Sequence, residues 1–236
     1  MNKVAVIGGS GVLEIELFAG LKKREIKTGY GRVMVEEGGG GLFFLQRHQT
    51  PPVPPHKLNH HANLAALKEC GVKYIVAVNS TGSLRSEFAP GSLLVPDDYF
   101  NPWAIKTFFD DRLEFVTPGL SETVRRAIIE AAGELSVELV DRGTYIQTTG
   151  PRFETLAEVR VLAGWGSVVG MTMANEATLA RELGLEYASL CLVDNYANGV
   201  CDQVVDFNEI EKSQQKNSRI LARLLPAVVG RLQRSG

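Results

Sequence analysis

Residues 187–200 read YASLCLVDNYANGV, an apolar run that stops abruptly at a cluster of amides and one acid. Ser189 to Val193 has the length and the apolar, β-branched character of a buried strand. Asp194, Asn195 and Asn198 would then emerge at its C-terminal end, where open α/β sheets place their ligands. A buried amide offers a fixed donor and a fixed acceptor without a charge, so Asn195 could read a heterocycle that presents both. Asn and Asp also form turns, and the same residues would serve as a turn and nothing more.

Working outward, the same pattern recurs. Asn175 to Leu183 reads as a helix closed by Gly184, and Val168-Val169 leads into Gly170-Met171-Thr172. Leu156 to Trp165 is a further helix, and before it strand material at Val137 to Gln147 ends in TTGPRFET (148–155), an aromatic face beside a carboxylate. Ser121 caps a helix running toward Gly133. Tyr74 to Val78 reads as a buried strand ending in Asn79-Ser80-Thr81-Gly82-Ser83, a hydroxyl-rich turn, and Asn59 caps the helix before it, which ends at Gly71. Strand, helix, strand in this order implies right-handed crossovers and a largely parallel sheet. Val33-Met34-Val35 and Leu42-Phe43-Phe44-Leu45 flank the turn Gly38–Gly41, and the second run delivers Arg47-His48. Guanidinium and imidazole together suit an oxyanion, and a solvated surface pair is the plainer alternative. Val4 to Ile7 is a short strand feeding Gly8-Gly9-Ser10-Gly11, a turn that offers backbone N–H groups and a hydroxyl to a phosphate-sized anion or is simply structural. That turn is neither a dinucleotide fingerprint nor a Walker motif. Between these pieces, 51–55 is proline-rich and stiff, Pro96 to Arg112 is a long aromatic, acidic loop, and Phe207 to Val229 is an amphipathic C-terminal helix.

Composition narrows the class. A chain of 236 residues can bury one substantial core, and one domain is expected over 1–236. With Lys+Arg 25 against Asp+Glu 27, the net charge of -2 gives no long-range attraction for nucleic acid or an anionic membrane. Cys70, Cys191 and Cys201 are odd in number and lack metal-ligand spacing, which fits a reducing cytoplasm. Nowhere do about 18 apolar residues run uninterrupted, and the N-terminus has no signal-like apolar run, so a soluble protein is expected.

Six patches in order resemble the trimeric purine nucleoside phosphorylases and methylthioadenosine phosphorylases. They are IGGSG, RH with the proline-rich loop and HKLNHHANLAAL, NSTGSLRSEFAPGSLLVPDDYF, GPRFET, VVGMT with Glu176 beyond it, and YASLCLVDNYA, and they span residues 4–198. The resemblance implies an α/β fold around a mixed central β-sheet flanked by helices. It implies phosphorolysis, in which inorganic phosphate attacks C1′ of a purine nucleoside and releases the base and a sugar 1-phosphate. No metal or organic cofactor is implied; phosphate is a co-substrate. A homotrimer or dimer of trimers is implied, with 103–118 as the candidate loop that closes a neighbour's site.

Matched residue by residue, Ser10, Arg47, His48 and Thr172 resemble the phosphate ligands, with Asn79, Ser80 and Thr81 alongside. Met171 resembles the residue packed on the ribose, and Phe153 the one against the purine. Ser10, His48 and Asn195 are the catalytic candidates. Asn195 matches the leaving-group contact at N7, where the resemblance implies Asp in enzymes of 6-aminopurines and Asn in those of 6-oxopurines. An ionised carboxylate would repel O6, whereas an amide donates to it. Glu154 matches the carboxylate that accepts from N1–H, a hydrogen that adenine lacks. Asp194 and Asn198 are read as supports for Asn195. Ala197 replaces an acid expected of methylthioadenosine enzymes, Gln49 and the prolines replace a basic residue for which His56 is the candidate substitute, and Val204, Val205, Phe207 and Ile210 lack the His expected for a 5′-hydroxyl. The expectation is therefore a phosphorylase of 6-oxopurine nucleosides, 5′-methylthioinosine first and inosine or guanosine beside it. The alternatives are a methylthioadenosine phosphorylase, a hydrolase, or a nucleoside-binding protein without turnover.

Overall fold

In the computed structural model, residues 1–9, 12, 15–103, 105–201 and 207–235 are described. Ten strands among them form one mixed sheet. Its centre is parallel: β1 (Val4–Gly8) lies between β4 (Leu42–Gln46) and β5 (Tyr74–Ser83), and β5 pairs along its whole length with β10 (Glu186–Tyr196). These strands read as unbroken apolar runs because helices cover both faces. Successive side chains alternate between them. Ala5, Ile7, Ile75, Ala77, Cys191 and Val193 pack toward α1 (His60–Glu69) and α4 (Met173–Glu182). Val4, Val6, Val76, Val78, Leu190 and Leu192 pack toward α2 (Glu122–Glu134) and α5 (Phe207–Arg234).

The flanks are less parallel than the crossover argument implies. β2 (Lys22–Thr28) and β3 (Gly31–Glu37) form an antiparallel hairpin joined to β4. Sequence reading passes over β2 because KKREIKT buries only Ile26; it is a lysine-rich edge strand whose outward side chains discourage further pairing. On the other side β7 (Asp98–Phe100), β8 (Thr144–Gln147) and β9 (Val168–Gly170) run parallel to one another, and β9 meets β5 antiparallel. The aromatic loop therefore begins with a strand. The short β6 (Leu93–Leu94) pairs with β10, and α3 (Leu156–Leu162) covers β8 and β9 through Val159 and Leu162.

Two boundaries correct the sequence reading. β5 runs through to Ser83, so Asn79, Ser80 and Thr81 are sheet residues and not a turn. Apolar character fails at Asn79, but the backbone pairing with β10 does not. β10 likewise continues to Tyr196, with a bulge between Val193 and Asn195. No helix among the described residues is long and apolar enough to cross a membrane.

Candidate active site

The pairing pattern leaves a gap in the middle of the sheet. β10 occupies one edge of β5 throughout, while β1 pairs with the other only as far as Ile7↔Ala77 and β9 only from Gly82↔Val169. Because β1 is parallel and β9 antiparallel to β5, their C-terminal ends point at each other across residues 78–81. A crevice of about 230 Å³ opens there, at a switch point of the sheet. Arg47, His48 and Thr172 line it toward Val78, and Phe153, Glu154, Asn195 and Asn198 line it toward Gly82.

The Val78 end is built around a buried ion pair. Arg47 follows β4, with its N–H donated to Gly8 O at 2.8 Å, which holds it at the tip of β1. Its Nε and Nη2 donate to the two oxygens of Glu176 at 2.5 and 3.1 Å, and Nη1 donates to Val78 O at 2.9 Å. Arg47 is 3 % and Glu176 1 % exposed. Burial opposes the Arg47 charge, but the attraction and hydrogen bonds of Glu176 prevail and raise its pKa above the usual value. Tyr187 donates to Glu176 at 2.8 Å, and burial first, then Glu176, keeps that phenol firmly protonated. Three of the five guanidinium N–H bonds are engaged in this frame, which leaves donors on Nη1 and Nη2 for an anion. The His48 ring bonds Val53 O through Nδ1 at 2.8 Å; a carbonyl only accepts, so Nδ1 carries the proton and Nε2 stays out of that bond.

Thr172 is set by the start of α4. Tyr145 Oη accepts from Thr172 N and Met173 N at 3.2 and 3.4 Å, and Gln147 Oε1 accepts from Ala174 N and Asn175 N at 2.7 and 3.2 Å. The open N–H groups of the helix are thus consumed by two side chains two residues apart on β8, and side chains are left to hold an anion. Gly170 makes this possible, since a Cβ there would overlap the Tyr145 hydroxyl. Asn79 donates to Thr172 Oγ1 at 2.9 Å and accepts from Ser189 at 2.7 Å. Asn79 therefore lies behind Thr172, outside the crevice lining, whereas Ser80, the next residue of the strand, is exposed within it. Thr81 lines the crevice with its hydroxyl donated to Leu192 O at 2.9 Å.

The Gly82 end is carried by loops and strand ends. Glu154 is 7 % exposed, accepts from Thr148 Oγ1 at 2.6 Å, and its carbonyl accepts from the Asn198 amide at 2.7 Å. That bond ties the 148–155 segment to the end of β10. Asn195 Nδ2 donates to Tyr196 O at 2.7 Å and lies 3.4 Å from where a Gly82 Cβ would sit. Phe153 and Met171 line the crevice, and Phe153 is partly exposed. Asp194, read from sequence as a support, is fully buried in the crevice wall, with the Ser80 hydroxyl donating to its Oδ2. Ser10, Val204, Val205 and the Phe207 side chain lie outside the described residues.

Sequence reasoning gave Glu176 no role and missed Tyr187, Tyr145 and Gln147. The period-2 spacing of Tyr145 and Gln147 was a signal, but Glu176 and Tyr187 look like an ordinary helix acid and an ordinary strand aromatic. Close by, His60 is 3 % exposed with no partner for Nδ1, and it lines a side cavity of about 60 Å³ next to Met171 and Pro55. Burial, with Arg47 adding to it and Glu176 opposing, lowers its pKa to about 4. No three His, Cys, Asp or Glu side chains among the described residues gather as metal ligands.

Residues 3–230 match the family model described as Phosphorylase superfamily, and the chain belongs to that family. It is 39 % identical to a probable 6-oxopurine nucleoside phosphorylase of Archaeoglobus fulgidus, covering 96 % of this chain and 95 % of that protein. It is 36 % identical to a probable S-methyl-5′-thioinosine phosphorylase of Methanocaldococcus jannaschii, covering 92 % and 88 %. Among solved structures it superposes on the methylthioadenosine phosphorylase of Schistosoma mansoni bound to adenine with a TM-score of 0.90, at 27 % identity over 100 % of this chain and 93 % of that one.

Proposed function

We propose that this protein catalyses phosphorolysis of 6-oxopurine nucleosides, 5′-methylthioinosine with inosine or guanosine beside it, giving the free base and a (5-methylthio)ribose 1-phosphate. The observation that carries this reading is the pairing of Glu154 and Asn195 at one end of a crevice whose other end offers Arg47, His48 and Thr172. Phosphate held at the Arg47 end is positioned to attack C1′, and its catalysis is that of placement and charge. At the other end the Glu154 carboxylate accepts from N1–H, and the Asn195 amide donates to O6 in place of its bond to Tyr196 O. A 6-aminopurine has no N1–H to give and would place an amino group where the amide donates. The Archaeoglobus fulgidus and Methanocaldococcus jannaschii relatives support the same substrate class, whereas the Schistosoma mansoni structure is of a methylthioadenosine phosphorylase.

The reading calls for no metal or organic cofactor, with phosphate as co-substrate, and for a cytoplasmic enzyme, consistent with three free cysteines. It also calls for a trimer or a dimer of trimers. Support comes from a broad exposed apolar surface: Trp103, Ile105, Leu113 and Phe115 on the 101–118 loop, and Leu156, Val161 and Trp165 on and after α3. The loop is tied to its own subunit, since Glu182 accepts from Thr107 Oγ1 and Phe108 N at 2.8 and 2.6 Å, and His61 bonds Thr107 O at 2.7 Å. Light scattering reads that assembly, and a monomer in solution would remove it.

A substrate panel tests the chemistry. It crosses 6-oxo with 6-amino bases and 5′-hydroxyl with 5′-methylthio sugars, each with and without phosphate. Phosphate-dependent release of hypoxanthine, with sugar 1-phosphate as co-product, is expected. Faster cleavage of methylthioadenosine than of methylthioinosine would overturn the base assignment, free sugar would indicate a hydrolase, and no turnover a binding protein.

A further inference from the structure

The face that the central strands turn toward α1 and α4 is largely apolar, yet Asn79 on β5 and Ser189 on β10 stand among Ile75, Ala77, Cys191 and Val193, 1 % and 0 % exposed. Burying an amide and a hydroxyl there costs free energy unless both are hydrogen-bonded. In the parallel register Ala77 lies opposite Ser189 and Asn79 opposite Cys191, so Ser189 reaches Asn79 on the diagonal and donates to its Oδ1 at 2.7 Å. An amide whose oxygen is taken on one side presents its N–H bonds on the other, and Nδ2 donates to Thr172 Oγ1 at 2.9 Å. Thr172 lines the crevice. A hydroxyl has one hydrogen, and an oxygen that accepts from Asn79 keeps that hydrogen for an acceptor on the crevice side.

The polarity of this chain is set from its far end. Without Ser189 the amide is free to turn over, offer its oxygen to Thr172 and draw the Thr172 hydrogen away from the crevice. The Cys191 thiol, 3.7 Å from Ser189 Oγ, favours the same direction: burial pushes it up to about 12, so it keeps its hydrogen to donate and leaves that of Ser189 for Asn79. Tyr187, two residues before Ser189 on the same strand face, ends in a charged pair that needs no such setting, because a carboxylate only accepts and a guanidinium only donates. We propose that Ser189 is a positioning residue for the anion end: through Asn79 it turns the Thr172 hydroxyl so that it donates to bound phosphate. This rests on the phosphorolysis reading, in which that end takes phosphate. Ser189 itself touches neither phosphate nor nucleoside.

A double-mutant cycle tests the assignment. Ser189→Ala should raise the KM for phosphate about tenfold, the scale of one hydrogen bond to a charged group, while the KM for the nucleoside stays within about twofold of wild type. Thr172→Val removes the hydroxyl that Ser189 steers. In that background Ser189→Ala should change the KM for phosphate by less than about twofold. A purely structural role for Ser189 would give the same change in both backgrounds, and that result overturns the proposal. So does an unchanged phosphate KM in Ser189→Ala, or an equal rise for the nucleoside. Calorimetric titration with inorganic phosphate reads the same cycle as Kd, without turnover. A wild type that binds phosphate and cleaves no nucleoside would end the phosphorolysis reading while the Kd values still decide the coupling. Phosphate-dependent turnover with additive Kd changes would end the coupling alone, and a wild type that neither binds nor uses phosphate overturns both.

Discussion

The two ends of the crevice are built differently. At the Arg47 end the frame is buried and multiply bonded, Arg47 to Glu176 and Val78, Glu176 to Tyr187, and Thr172 to Asn79 and on to Ser189, with the half-buried His48 ring beside it bonded to Val53 O. These groups sit on β4, β5, α4 and β10, so the central sheet itself fixes them. At the base end Phe153 and Glu154 come from a loop, Asn195 and Asn198 from the end of β10, and one side chain–backbone bond joins the two segments. Phosphate is the same in every turnover of such a reaction, and a rigid cradle suits it. The base must enter and leave, and on the proposed reading the side chains that would read it can change without disturbing the sheet.

The largest expected effect tests the frame. Glu176→Ala leaves the Arg47 charge buried and unpaired, which costs about 3–5 kcal/mol. Thermal unfolding should shift down by on the order of 10 °C, and the KM for phosphate should rise. A shift under about 1 °C would show that the anion end is not the structural anchor described. His60, beside that frame, gives a pH signature. It stays neutral in the folded protein down to about pH 4, whereas in the unfolded chain it takes up a proton near its ordinary value of about 6.5. Between those values the unfolded state binds more protons, so stability falls as the pH falls, by about 3 kcal/mol in all. His60→Gln should flatten the chemical-denaturation profile from pH 6.5 to 4 by that amount relative to wild type, and identical profiles would contradict it.

The smallest effect belongs to the base end. Asn195→Asp should lower kcat/KM on 6-oxopurine nucleosides about 10–100-fold relative to 6-aminopurine nucleosides, the scale of one buried hydrogen bond lost or made repulsive. Thermal stability should change by less than about 1 kcal/mol. Large loss of stability in this variant, or uniform loss on both base classes, would erase the distinction between the two ends.

What the sequence by itself determined is the inventory. The apolar runs at Val4, Tyr74 and Ser189, the glycine punctuation and the helix caps at Asn59 and Ser121 locate the central strands and helices, because burial on both faces and open helix ends impose local patterns. The motif residues mark a phosphorylase. Only the tertiary structure decided that Asn79, Ser80 and Thr81 divide between a supporting bond, the crevice floor and a strand contact, since that follows from β5 running on past its apolar stretch. The same holds for Glu176, which meets Arg47 from 129 residues away in sequence, and for Tyr187, which donates to Glu176. It holds most of all for Asp194 in YASLCLVDNYANGV. A single inserted residue in the pairing of β10 with β5 turns an apparent loop support into the crevice wall, and register is a property of two strands together, which one strand's sequence does not contain.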